Sequence, residues 1–142
     1  MNNSHDFNWV GSHENFVDNP NIVQLNHILV GRYGGNSNAG QYKNEDGCLV
    51  WHNIKEDWEF VILLDAHNTA ESAKIILEQF DKEKSTIQNL LSLPVNPEFF
   101  NMIEDKILSM FQSEEFLSSC REIKGETACL IVIRKDKYVW SF

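Results

Sequence analysis

The chain has 142 residues, enough for one domain with one substantial core. A hydrophobic content of 42% excludes global disorder, and 21 acidic against 12 basic side chains leave a formal net charge of −9. That charge disfavours nucleic acid and anionic membrane surfaces as partners.

Residues 1–26 are polar, with apolar anchors at Phe7, Trp9, Val10, Phe16 and Val17. "FNWVGS" suits a short strand, and "DNPN" at 18–21 a turn. His5, Asp6, His13 and Glu14 in this stretch are conceivable metal ligands, although terminal residues of this kind are more often solvated. "HILVGRY" at 27–33 reads as a strand running into the Gly/Asn/Ser loop "GGNSNAGQ". "NEDG" at 44–47 precedes a further strand, "CLVWHNI". "WEFVILLD" at 58–65 is apolar without alternation, the pattern of a strand covered on both faces, and it ends on Asp65.

Asn68 is placed as the N-cap of the next helix, with Glu71 completing a capping box. Ala73, Ile76, Leu77, Phe80, Ile87 and Leu91 form its apolar face, and "SLP" ends it. A second helix is expected from Asn96-Pro97-Glu98, with Pro97 at its first position and Phe100, Ile103, Ile107, Met110 or Phe111, and Leu117 along its stripe. "TACLIVIR" and "YVWSF" form a hairpin about the "KDK" turn, and the first strand is again apolar on both faces. These strands and two long antiparallel helices give a single α+β domain over 1–142, layered with helices outside a sheet core.

The three cysteines lack CxxC spacing, and Cys48 and Cys129 open apolar runs, which fits a reducing compartment. "MNNSHDFNWV" has no secretory pattern, and the runs "FVILL" and "ACLIVI" are too short to span a bilayer. A soluble, cytoplasmic chain is expected.

The candidate chemistry centres on Asp65. A buried, unpaired carboxylate is costly and normally neutralises, pairs or holds a metal. If the flanking strands pair antiparallel, Glu45 and Asp46 converge on Asp65, and hard cations such as Mg2+ or Mn2+ take such oxygen sets. His67 could then protonate a leaving alkoxide. The bland alternatives are that Glu45 and Asp46 are turn residues, that Asp65 caps the helix, and that His67 bonds to backbone. A rival chemistry makes Asp65 a phosphoryl-accepting nucleophile, but His67 stands where haloacid-dehalogenase-like enzymes need a second aspartate.

Taken in order, "GQYKNEDGCLVW", "EFVILLDAHNTAESA", "GETACLIVI" and "KYVWSF" resemble the metal-dependent PPM, or type 2C, Ser/Thr protein phosphatases, from about residue 27 to the end. The resemblance implies an α-β-β-α sandwich and a two-metal site for Mn2+ or Mg2+. Asp65 would bridge the ions, with Glu45 and the Ala66 carbonyl on one of them and Asp46 acting through water. His67 would be the general acid. The implied reaction is attack by a metal-bridged hydroxide on a phosphoserine or phosphothreonine.

The chain departs from that pattern at three points. D-G-H-G is Asp65-Ala66-His67-Asn68, and the expected phosphate arginine falls at Gln41, leaving Lys43 as a non-bidentate substitute. A Gly-Asp pair is expected just past Phe142, where the chain stops in a strand. The sequence therefore reads as the first half of such a phosphatase, incomplete at its C-terminus and inactive as this piece. The alternative is a phosphatase-fold binding or regulatory module. An open C-terminal edge with exposed apolar surface would favour homo-oligomers.

Overall fold

The computed structural model describes residues 4–142. The order is β1 (Ser4–Val10), β2 (Asn21–Leu25), β3 (Ile28–Arg32), β4 (Gly47–Asn53), β5 (Trp58–His67), α1 (Glu71–Leu91), α2 (Phe99–Phe111), α3 (Glu114–Glu122), β6 (Glu126–Lys135) and β7 (Tyr138–Ser141). The fold is α+β: a five-stranded antiparallel sheet, β1-β4-β5-β6-β7, with a separate β2–β3 hairpin.

One sheet face carries Leu49 and Trp51 from β4, Phe60, Ile62, Leu64 and Ala66 from β5, and Ile131 and Ile133 from β6. These pack with α1 and α2 residues in one buried core. The expected α1 face is buried as read: Ala73, Ile76, Leu77, Phe80, Ile87 and Leu91 all lie in it. Phe60 stacks on Trp51 with centroids 5.2 Å apart and lies 5.7 Å from Phe80. Trp140 of β7 stacks on Phe100 at 5.3 Å.

The other face is only partly covered. The hairpin lies over it, with the Arg32 guanidinium above the rings of Phe7, Trp9 and Phe16 at 4.4–5.6 Å. Ile28–Gly31 and the sheet residues Cys48, Val50, Val61, Leu63, Leu130 and Val132 then bound a groove of about 280 Å³. Beyond the hairpin, Leu63, Leu130 and Val139 are exposed. Strands β5 and β6 are therefore apolar on two faces yet buried on one.

Several local expectations give way. No strand was expected at Asn21–Leu25, which pairs with β3 and keeps β3 out of the main sheet. The N-cap of α1 is Ala70, not Asn68, whose φ of +77° places it in the turn before the helix. Pro97 lies before α2, which begins at Phe99, and the Asn96 side chain accepts from the Glu98 amide at 2.9 Å. The second long helix is two: Ser113 accepts from the Phe116 amide and caps α3. Phe116 is consequently buried while Leu117 is exposed. Cys48 and Cys129 are unpaired thiols whose pKa values burial pushes up to about 11. Among the described residues no helix is long and apolar enough to cross a membrane.

Candidate functional site

The β4–β5 register pairs Gly47 with Leu64, so the residues before β4 meet those ending β5. Asp46 Oδ1 accepts the Ala66 amide at 3.3 Å, across that junction. The Asp46 amide donates to Asn44 Oδ1 at 3.1 Å. Asn44 is itself buried and donates to the Asn15 carbonyl at 3.2 Å. Asp46 therefore reaches the end of β5, whereas Glu45 and Asp65, expected to converge with it, line different hollows. Asn44, which the sequence reading passed over, holds the acidic pair in place.

The turn after β5 is also fixed. Thr69 Oγ1 donates to the Lys124 carbonyl at 2.5 Å, and the Lys124 amide donates to Glu71 Oε2 at 3.1 Å. Lys43 pairs with Glu45 and donates to the Asn68 carbonyl at 2.9 Å.

Asp65 is not the buried charge that its apolar strand suggested. Its side chain is 69% exposed and that of His67 70%, with His67 Nδ1 3.4 Å from Asp65 Oδ1. The physical reason is strand alternation: Leu64 and Ala66 face the helices, while Leu63, Asp65 and His67 face the sheet's less covered side. Glu126 pairs with His67 across β6 and lines the same hollow as Asp65 and His67, of about 380 Å³. Lys43, Glu45 and Asn68 line a different hollow, of about 420 Å³. Glu126 carried no sequence signal, since only the β5–β6 register brings it here.

Asp46 sits between the two groups. Burial raises its pKa, the Ala66 amide opposes that, and the Asp65 and Glu45 carboxylates raise it further. A folded-state pKa above the ordinary 3.8 means that the fold prefers the protonated acid. The resulting cost is absent below the ordinary value and grows as pH rises through the window up to the raised one. Asp46→Asn keeps an acceptor for the Ala66 amide. It is expected to stabilise the fold at pH 7 by less than about 1 kcal/mol, the scale of a partly solvated charge. It should do nothing at pH 3. Equal effects at both pH values in thermal melts would refute the assignment.

The donor set here is all oxygen and carries unbalanced negative charge, which suits a hard divalent cation. Of these, Asp46, Asp65 and the Ala66 carbonyl would be the groups to hold one, while Glu45 is engaged by Lys43. Among the described residues no group of three or more His, Cys, Asp or Glu stands ready to hold a metal ion. The chemistry of the set fits the cation better than its present side-chain positions do. Comparison of the chain with protein-family models, curated proteins and solved structures finds no match.

Proposed function

We propose that this domain binds Mg2+ or Mn2+ at the Asp46–Asp65 end of the sheet and acts there on phosphoesters, including phosphoserine and phosphothreonine. The observation that carries this reading is the antiparallel β4–β5 junction, which sets Asp46 against Ala66 and beside Asp65 and Glu45. A divalent cation there would neutralise the carboxylates and stabilise charge developing on a phosphoryl group. The chain's own residues supply the rest. Asp65 and Asp46 offer the charge, His67 lies beside Asp65 with its ring open to solvent and can pass a proton to a leaving oxygen, and Lys43 can attract the phosphate. The α-β-β-α layering that the type 2C resemblance implies would need a second sheet and helix layer where the structure has only the β2–β3 hairpin.

A second reading, a binding or regulatory module without turnover, is favoured by one observation. Lys43, the only cation near the acidic pair among the residues lining its hollow, is already paired with Glu45.

Mn2+ binding by calorimetry, together with Mn2+-dependent hydrolysis of an aryl phosphate and a phosphopeptide, separates the readings. Binding is expected, and is expected to be lost in Asp65→Asn and Asp46→Asn. Turnover that falls about 100-fold or more in His67→Gln, the scale of a general acid, supports the enzyme. Binding without turnover supports the module, and no Mn2+ binding ends both.

A further inference from the structure

The opposite end of the same sheet carries a second polar group, unrelated to the carboxylates above. The registers of β1, β4, β5 and β6 set His5 opposite His52, His52 opposite Glu59, and Glu59 opposite Arg134. These four side chains thus form one cross-strand row on the face over which the hairpin lies. The His5 and His52 rings stack with centroids 5.3 Å apart. His27, at the β2–β3 turn, reaches down to the row, with its Nδ1 3.6 Å from Glu59 Oε1. Two contacting pairs, His5–His52 and His27–Glu59, thus stand side by side, joined by the His52–Glu59 register.

Two atoms of this group have no partner. His52 is 4% exposed and its Nδ1 makes no hydrogen bond, and Glu59 is 8% exposed with Oε1 equally unpartnered. A buried polar atom left unsatisfied is destabilising unless a ligand pairs with it. Glu59 is held by its other oxygen: Arg134 Nε donates to Oε2 at 2.8 Å, which leaves Oε1 on the side of His27.

We infer that His5, His27, His52 and Glu59 form a binding site for a first-row transition cation of the Zn2+ class. Imidazoles with one carboxylate are donors that such ions prefer over Mg2+ or Ca2+. The site is not preformed, since no three such groups stand in ligating position among the described residues. Its buried half, His52 and Glu59, is held by the sheet. Its exposed half, His5 and His27, can rotate onto a cation. Binding would tie β1, β4 and β5 to the hairpin turn and so fasten the hairpin over the apolar groove. This inference does not depend on the phosphoesterase reading.

The test uses the full chain without an affinity tag, cleared of metal by chelation. Co2+ titration is expected to produce the visible absorption of a low-symmetry, four-coordinate site, and equimolar Zn2+ to abolish it. Zn2+ should also raise the melting temperature, as any ligand selective for the native state does. His27→Asn and His5→Asn change exposed side chains and should leave the fold intact while weakening Zn2+ at least about tenfold, the scale expected from loss of metal-site partners. Asp65→Asn should bind Zn2+ as the parent does. Absence of the Co2+ spectrum, or Zn2+ affinity unchanged in both histidine variants, would overturn the assignment. Loss of Zn2+ in Asp65→Asn alone would place the ion at the other end of the sheet and overturn it equally.

Discussion

Replacing Phe60 by alanine is expected to lower the unfolding free energy by about 3–5 kcal/mol, the range for deleting a large aromatic from a packed core. Phe60 is fully buried and is the ring on which the sheet and α1 meet, stacked on Trp51 on one side and set against Phe80 on the other. Its neighbours belong to the backbone ladder and to a long helix, so they have little freedom to collapse into the gap. A domain of this size is typically stable by about 5–15 kcal/mol, so the variant would lose much of its margin. Urea denaturation at matched pH measures the change, with Phe60→Leu as a milder companion. A loss below about 1 kcal/mol, the ordinary effect of an average substitution, would show that this layer is not packed as described.

Gly125→Ala should be strongly damaging at the site end of the sheet. Gly125 has φ +97°, in the region where a side chain strains the backbone, at a cost of about 1–3 kcal/mol. An added Cβ would also stand 2.6 Å from the His67 carbonyl and 3.2 Å from the Thr69 amide. Both of those are backbone atoms, so relief requires moving the turn itself, and overpacking adds about 1–3 kcal/mol more. Gly31→Ala makes the internal control, because a Cβ there meets nothing within 4 Å. Denaturation of the two variants side by side checks the claim. Equal stabilities would refute it. Because the turn carries His67 and Thr69, Gly125→Ala should also weaken the Mn2+ binding proposed at the Asp65 end.

Much of the helical layer was legible because its signal is local. The spacing of Ile76, Leu77, Phe80, Ile87 and Leu91 fixes a face whatever lies opposite. The β6–β7 hairpin was legible for the same reason, since its tight turn constrains both strands. Asp65 was misjudged because an unbroken apolar run says that both faces are apolar, not that both are covered. Leu63 and Leu130 are the counterexamples, at 56% and 47% exposed. The strand at Asn21–Leu25 was invisible because its inward residues, Val23 and Leu25, alternate with Ile22 and Gln24 over only five positions beside a turn signal. The break at Ser113 hid within a continuing helical stripe. Of the site, the convergence of Asp46 on the end of β5 followed from two strand-edge carboxylates and antiparallel pairing. The row His5–His52–Glu59–Arg134 was beyond reach, since it exists only as a product of three registers at once.

Strands β5 and β6 pair along their whole length, Trp58 with Lys135 through His67 with Glu126, yet all three helices lie between them in the chain. Together with β1–β4, which pair across residues 11–46, β5–β6 is one of two long-range closures of the sheet. Joining distant segments costs chain entropy before any contact rewards it, and such closures set the pace of folding. Forming the β5–β6 seam should therefore be a slow step in building the sheet, although its buried, fully paired centre makes it one of the last to open once formed.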